Sequence, residues 1–189
     1  MPLSYPDPPL TDGVVRIRPW HEGDLDCVRE AGTDPTIPAG TTVPALFSPE
    51  AGLAFVRRQQ RRIEDGEGVS LAVTGATDDR ACGLVWLPVR PQPGVRGLGY
   101  WVVPSARGRG LGTRAVRLAV AWALSGPDTA RVEAWVEPDN LASQRLLEAA
   151  GFTREGVLRS FLSIGDRRAD AVVFSRTTGD ADAATPSAV

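Results

Sequence analysis

The chain has 189 residues, of which 42% are hydrophobic and 23% are charged, values typical of a single soluble globular domain. Its formal net charge of −2 argues against a nucleic-acid-binding module, and the absence of lysine excludes a lysine nucleophile. Two distant cysteines and one histidine exclude a disulfide framework and a histidine-cluster metal site. With neither a signal-peptide pattern nor an apolar run of membrane-spanning length, we expect a cytoplasmic protein that contacts no membrane.

Residues 14–177 are expected to form one folded domain. The proline-rich segment 1–13 predicts an irregular arm, and the small polar residues of 178–189 predict a flexible tail. Predicted strands, in chain order, are 14–18, 69–74, 81–87, 98–103, 131–137, 157–164 and 169–176. Predicted helices are 23–31, one beginning at Ser48, 111–124 and 140–150.

The mixture of these elements indicates an α/β (α+β) domain. The order favours a mainly antiparallel sheet with a parallel crossover in its second half. Counting the segments gives about six to seven strands flanked by about four helices. Gly151 suits the left-handed position after the helix 140–150, and Phe152 suits the hydrophobic contact that follows it.

The most informative segment is the glycine-rich loop that joins the strand 98–103 to the helix 111–124. Glycines at 108, 110 and 112 let consecutive backbone N–H groups converge on one anion, and the helix N-terminus adds positive potential. The pattern predicts a pyrophosphate site, although a tight glycine turn without a ligand also fits it. Neither the P-loop pattern nor the dinucleotide-binding pattern Gly-x-Gly-x-x-Gly is present.

Several motifs resemble one known family. Arg107-x-x-Gly110-x-Gly112 is similar to the Gln/Arg-x-x-Gly-x-Gly/Ala signature of the GNAT superfamily of N-acetyltransferases. The segment 140–152, with Asn140, Ser143 and a final Gly-Phe, resembles the next helix of that superfamily. The opening segment 16–24 and the Gly-Tyr-Trp strand at 99–101 resemble the ribosomal-protein N-terminal acetyltransferase (RimJ/RimL-like) branch.

The resemblance implies acetyl-CoA as cosubstrate, an amine acceptor (a peptide N-terminus or a small molecule), no metal and no nucleic acid, with a homodimer as an open expectation. Amides of the loop would hold the pyrophosphate, the strand end would pair with the pantetheine amides, and Asn140 would contact the pantetheine arm. The implied cofactor-binding residues are Val102, Val103, Arg107, Gly108, Arg109, Gly110, Leu111, Gly112, Thr113, Asn140 and Ser143.

Direct attack of the amine in a ternary complex is the expected mechanism, with a backbone N–H near Val102 or Val103 stabilising the oxyanion. Many family members protonate the leaving thiolate with a tyrosine, but this chain has Leu147 at that position. The RimJ/RimL-like branch uses a serine, which corresponds to Ser143, although a helix-capping role fits Ser143 too. Both cysteines are interpreted as structural.

The resemblance supplies no general base. Glutamates of the branch would correspond to Gly97 and to a position near Leu162, so none can be carried over. Glu133 and Glu137 share a strand face and are the candidate bases, although an ion pair or a solvated face also fits them. Two alternative functions remain: transfer from a bulkier acyl-CoA such as succinyl-CoA, with Arg159 as a loose candidate contact, and a non-catalytic CoA-binding module.

Overall fold

The computed structural model describes residues 3–182. Its strands are β1 (Leu10–Thr11), β2 (Val15–Arg18), β3 (Gly68–Gly75), β4 (Ala81–Pro88), β5 (Val95–Gly97), β6 (Gly99–Val102), β7 (Arg131–Val136), β8 (Thr153–Ile164) and β9 (Arg167–Thr177). Its α-helices are α1 (Leu25–Ala31), α2 (Thr36–Gly40), α3 (Pro49–Glu64), α4 (Leu111–Ser125), α5 (Leu141–Ala149) and α6 (Thr178–Asp182). Short 3₁₀ turns occupy Glu22–Asp24 and Pro104–Ala106.

The strands form two sheets, with the orders β1-β2-β3-β4-β6 and β5-β7-β9-β8. Neighbouring strands are antiparallel except for β5 and β7, which are parallel, and the predicted fold class is thereby confirmed. The described part of the chain holds nine strands and six α-helices, more than the six to seven and four that were expected. The difference arises because β1, α2 and α6 are only two to five residues long and because β5 and β6 are separate strands.

The two sheets separate at Leu98. The segment before it, β5, pairs with β7, whereas the segment after it, β6, pairs with β4. The Leu98 amide donates to the Glu133 carbonyl at 2.7 Å, and β6 then continues on the other sheet. A gap therefore opens between the carboxyl ends of β6 and β7, where backbone groups of β6 lack a neighbouring strand.

Two clusters of buried apolar side chains lie on opposite faces of the first sheet. One packs beneath α4 and α5, and the other beneath α1 and α3. In the second cluster, the Trp20 ring lies 5.4 Å from Phe55 and 6.1 Å from Trp101. Burying an aromatic side chain of this size contributes roughly 1.5–3 kcal/mol. Because Trp101 belongs to β6, this packing holds one wall of the gap in place.

An ion-pair network fixes the opening strand. Arg18 is 7% exposed and donates to both carboxylate oxygens of Asp24 at 2.9 Å, while its Nε lies 3.1 Å from Asp79. These contacts join β2 to the following 3₁₀ turn and to the β3–β4 turn. Removing either carboxylate would leave a buried guanidinium partly uncompensated, which is costly.

The terminal segments are more ordered than expected. Within 1–13, Leu10–Thr11 pair with β2, and Leu3 and Tyr5 pack against the core, so the whole segment is not an irregular arm. Helix α6 occupies 178–182 of the expected tail, and the remaining residues 183–189 lie outside the described residues. Between residues 3 and 182, no helix has the length and apolar character required to cross a membrane.

Candidate functional site

The glycine-rich loop forms an open row of backbone amides. Gly108 and Gly110 have φ values of +70° and +73°, a region that favours glycine, and α4 begins directly after them. The first bond into the helix runs from the Arg114 amide to the Gly110 carbonyl, at 3.1 Å. Within residues 3–182, the amides from Gly108 to Thr113 donate to no protein acceptor. Six consecutive N–H groups and the positive end of a 15-residue helix can therefore converge on an anion.

The three glycines of this loop have two different roles. A Cβ built on Gly108 or Gly110 meets nothing within 4 Å, so the surface of the loop is accessible. A Cβ on Gly112 would lie 3.0 Å from Leu146 Cδ1 and 3.2 Å from Val102 Cγ2. Gly112 is therefore small because α4 packs closely against α5 and β6, a reason that the sequence pattern did not reveal.

Arg107 holds the start of the loop through its side chain, and its amide is not one of the unengaged amides. Its amide donates to the Pro104 carbonyl, and its side chain donates to the Val102 carbonyl at 3.0 Å and lies 2.5 Å from Asp34 Oδ2. The pKa of Asp34 is lowered, mainly by the Thr36 hydroxyl and amide and further by Arg107. The Arg107 amide already has an acceptor in this conformation, so the structure gives no support to the expectation that it holds pyrophosphate.

The free edge of β6 is formed by Tyr100 and Val102. The Val103 amide donates to the Cys82 carbonyl at 2.9 Å, which sets the phase of the antiparallel ladder with β4. Successive residues of a strand direct their backbone N–H and C=O groups to opposite sides. Because Val103 is directed toward β4, the backbone groups of Tyr100 and Val102 point away from β4 and into the gap. Val103 is thus not the oxyanion donor that the sequence analysis considered, and the Val102 amide remains the candidate.

The N-terminus of α5 borders the other side of the gap. Asn140 caps this helix by accepting the Ser143 amide at 3.1 Å, and the partly exposed Ser143 lies in the first turn. Tyr100 donates its hydroxyl to the Ser143 carbonyl at 3.2 Å, and burial raises the pKa of Tyr100 to about 12. Leu147, at the position of the family tyrosine, is fully buried. The sequence analysis used Tyr100 only as part of the Gly-Tyr-Trp strand motif and assigned its hydroxyl no role in the site.

Both candidate bases form ion pairs with arginines. Glu133 is 14% exposed and lies 3.4 Å from both Arg90 and Arg131. Glu137 lies 2.5 Å from Arg167 on the β8–β9 hairpin. The ion-pair interpretation is therefore correct for both carboxylates, whatever further role they have.

Gly97, where the branch often has a glutamate, makes room for a guanidinium. A Cβ on Gly97 would lie 2.9 Å from Arg90 Cζ, and that group stacks 3.7 Å from the centre of the Trp135 ring. Gly97 is also the β5 partner of Glu133 in the parallel ladder. A cation–aromatic stack thus occupies the place of the family carboxylate, with Glu133 beside it.

Other chemistry finds little support in the described residues. Cys27 is buried and Cys82 is partly buried, and burial raises the pKa of each thiol, so neither is an activated nucleophile. Residues 3–182 contain no group of three or more His, Cys, Asp or Glu residues placed to hold a metal ion.

The described geometry agrees with a known family. Residues 15–153 match the family model described as "Acetyltransferase (GNAT) domain", which is most of the chain. The chain belongs to the GNAT acetyltransferase family. In GNAT terms, the glycine loop and the capped helix α5 are the parts that the sequence motifs identified.

Curated GNAT relatives match part of the chain. The Bacillus subtilis (strain 168) protein named "Probable N-acetyltransferase YjcK" is 37% identical over 111 residues, covering 58% of this chain and 61% of that protein. An "Aminoglycoside N(6')-acetyltransferase type 1" from Klebsiella pneumoniae is 34% identical over 74 residues, covering 39% of this chain and 37% of that protein. The chain thus spans less than two thirds of the length of either relative.

Solved GNAT structures share the fold. Mycobacterium smegmatis RimJ in complex with CoA-disulfide aligns with a TM-score of 0.77 and 20% identity, covering 89% of this chain and 84% of RimJ. The ribosomal-protein-S5-alanine acetyltransferase from Vibrio fischeri aligns with a TM-score of 0.73 and 20% identity, covering 91% and 97%. At this identity the likeness establishes the fold alone.

Proposed function

We propose that this GNAT protein is an acetyl-CoA-dependent N-acetyltransferase that acts on a primary amine by direct attack in a ternary complex. The observation that carries the proposal is the row of unengaged amides from Gly108 to Thr113, which lies beside the gap between β6 and β7. A pyrophosphate at the amides and an extended chain in the gap together match coenzyme A. The amides account for an anionic group of the ligand, and the gap accounts for an extended chain attached to it.

The residues present fit that ligand. The amides of Gly108, Arg109, Gly110, Leu111, Gly112 and Thr113 would bind the pyrophosphate. The free backbone groups of Tyr100 and the Val102 amide would pair with the pantetheine amides as a neighbouring strand does. Asn140 would contact the pantetheine arm with its exposed amide group while its oxygen continues to cap α5. Val103 and Arg107 would act indirectly, by holding the loop.

In the proposed step, the neutral amine nitrogen forms a bond to the acetyl carbon. The carbon–sulfur bond breaks, and the proton lost by the attacking nitrogen passes through solvent toward the leaving sulfur. The Ser143 hydroxyl hydrogen-bonds that sulfur, or hands it a proton while taking one from the same solvent relay. The Val102 amide would stabilise the oxyanion. Alignment of both substrates in one complex is worth on the order of 7–11 kcal/mol in well-oriented cases. The Tyr100 hydroxyl holds the Ser143 carbonyl and so keeps the first turn of α5 at the gap.

The acceptor needs little help to lose its proton if it is weakly basic. An α-amine with a pKa near 8 is about 10% neutral at pH 7, whereas a lysine side chain is under about 0.1% neutral. Glu133 and Glu137 remain the candidate bases, but both already neutralise arginines. This arrangement favours an α-amine, as in a peptide N-terminus, or another weakly basic amine.

Release of free thiol from acetyl-CoA tests the proposal, with a panel of peptides, amino-acid amides, polyamines and aminoglycosides as acceptors. Turnover with any amine supports it. Turnover with succinyl-CoA alone would assign a bulkier acyl donor, for which Arg159, exposed in β8, is the candidate contact. Tight CoA binding without turnover across the panel would indicate a CoA-binding module. Failure to bind CoA at all would overturn the assignment of the amide row.

A further inference from the structure

A large apolar groove crosses the outer face of the second sheet. Its volume is about 800 Å³, and it runs across β7, β9 and β8 beneath the loop that follows β4. Its apolar walls are formed by Pro91, Val95, Trp135, Val157, Leu158 and Phe161. Three of these side chains on β8, at 157, 158 and 161, are 39–45% exposed, which is unusual for large hydrophobic groups clustered together.

A local distortion of β8 builds the aromatic part of this groove. Three residues, 159–161, face the single residue Asp170 on β9, and Ser160 has a φ of +51°. Asp170 accepts the Ser160 amide at 2.7 Å, and Arg168 donates to the Ser160 carbonyl at 3.0 Å. The bulge places the Phe161 ring edge-on to Trp135, with 4.6 Å between ring centres. Side chains thus support a backbone conformation that is costly for serine, as is common at ligand sites.

The charges in the groove compensate one another. Glu133 lies between Arg90 and Arg131, and Glu155 lies 2.5 Å from Arg131. Hydrogen bonds from Arg131 and Ser175 lower the pKa of Glu155 to about 2, so this carboxylate is ionised and paired at neutral pH. With two arginines against two glutamates, the groove gives little electrostatic preference to a ligand that carries several ammonium groups.

The groove begins at the gap between the sheets. The last hydrogen bond between β7 and the segment that follows β5 runs from the Leu98 amide to the Glu133 carbonyl. Trp135 is the next residue of β7 whose side chain lies on the same outer face as Glu133. One end of the groove therefore lies level with the point where β6 and β7 separate. A ligand seated on Trp135 can extend a group toward that point.

We propose that this groove binds the acceptor and selects amines that carry an aromatic or branched aliphatic group and no second positive charge. The inference rests on the proposed function and names its substrate class. The apolar group would lie against the joined rings of Trp135 and Phe161, and the reacting amine would point toward the gap. A polycationic aminoglycoside, the substrate named for one relative, does not suit a groove whose carboxylates are already neutralised.

Amino-acid amides provide a matched acceptor series, because they share one α-amine and differ only in the side chain. With saturating acetyl-CoA, kcat/KM for phenylalaninamide and leucinamide is expected to exceed that for alaninamide by about tenfold, with the difference mainly in KM. Kanamycin is expected to give no turnover. Equal values across the amides, or a preference for kanamycin, would overturn the inference while leaving the proposed function intact.

Variants assign the preference to the groove. Trp135→Ala and Phe161→Ala are expected to lower the phenylalaninamide-to-alaninamide ratio toward one, whereas Trp135→Phe retains most of it. The dissociation constant of CoA, measured by calorimetry, should stay within threefold in all of them. Val157→Ala, in the groove, should lower the ratio in part. Its match is Val14→Ala, which is similarly exposed (47% against 45%) directly before β2, outside the groove, and should leave the ratio unchanged. An unchanged ratio in both alanine variants would contradict the proposal.

A binding measurement covers the case in which no acceptor turns over. N-Acetylphenylalaninamide titrated into the CoA-loaded protein is expected to bind at least fivefold more tightly to the wild-type chain than to Trp135→Ala. No binding to the wild-type chain would refute the inference independently of activity. Light scattering tests another occupant: if a second copy covers the groove, Phe161→Ala will dissociate a dimer, and the groove is then an interface instead of an acceptor site.

Discussion

Thr113→Glu tests the amide row by moving helix stability and ligand affinity in opposite directions. Thr113 is the third residue of α4, after Gly110 as the N-cap. Helical side chains incline toward the N-terminus, so a glutamate at this position lies over the unengaged amides. Its negative charge at the positive end of the helix is expected to stabilise the fold by about 0.3–1 kcal/mol. In a chain of this size that corresponds to a rise of roughly 1–3 °C in the thermal midpoint.

The same carboxylate would repel a pyrophosphate bound at the amides. For one negative charge about 7 Å from a doubly charged group, with an effective dielectric constant of about 40–80, the repulsion is roughly 1–2.5 kcal/mol. The dissociation constant of CoA should therefore rise about 5- to 70-fold. Because the interaction is solvent-exposed, raising the salt concentration from about 0.05 M to 0.5 M should reduce the effect.

Thr113→Gln is the control, since it has the same shape without the charge. Calorimetry would give the CoA affinity of both variants, and thermal unfolding without CoA would give their stability. A stabilised Thr113→Glu protein that binds CoA as tightly as Thr113→Gln at low salt would place the anion elsewhere. General destabilisation cannot imitate the expected result, because it would lower the thermal midpoint.

Three further changes test the site and its supports. Ser143→Ala should lower kcat at least tenfold in steady-state assays while changing the CoA dissociation constant less than threefold, and an unchanged kcat would remove its acid role. Gly112→Val should cost about 1–3 kcal/mol in chemical denaturation, because its side chain meets Leu146, and a cost below about 0.5 kcal/mol would contradict this packing. Glu155→Gln should lower the free energy of unfolding at pH 7 by about 1 kcal/mol after allowance for solvent screening. The folded-state pKa of Glu155, about 2, lies below its ordinary value of 4.5, so this difference should be present above pH 4.5 and vanish as the pH falls toward 2.

The parts of the fold with strong local signals were predictable. Helix α4 has apolar residues at helical spacing, and the prediction of 111–124 agrees with Leu111–Ser125. The end of α5 was also predictable, since Gly151 has a φ of +85° and the Phe152 amide returns to the Leu147 carbonyl. In these places one local rule decides the conformation, so no distant partner is needed.

Features that depend on a distant partner could not be predicted. The residues around Leu98 form extended structure on both sides, and only tertiary packing shows that the chain changes sheets there. The sequence indicated which loop offers amides, but not that Val103 and Arg107 donate theirs to Cys82 and Pro104. The β8 bulge was equally invisible, because Ser160 carries no signal for a positive φ.

The pH dependence of turnover decides whether the protein supplies a base. Both candidate carboxylates are held by arginines, Glu133 by Arg90 and Arg131 and Glu137 by Arg167, so deprotonation is expected to follow the acceptor's own equilibrium. For an α-amine with a pKa near 8, kcat/KM should rise about tenfold per pH unit below 8 and level off above it. With an acceptor amine of lower or higher pKa, the midpoint of the pH profile of kcat/KM should shift by the difference in amine pKa. A midpoint that stays fixed across acceptors, and that disappears in Glu133→Gln or Glu137→Gln, would instead assign the proton to that carboxylate and contradict base-free attack.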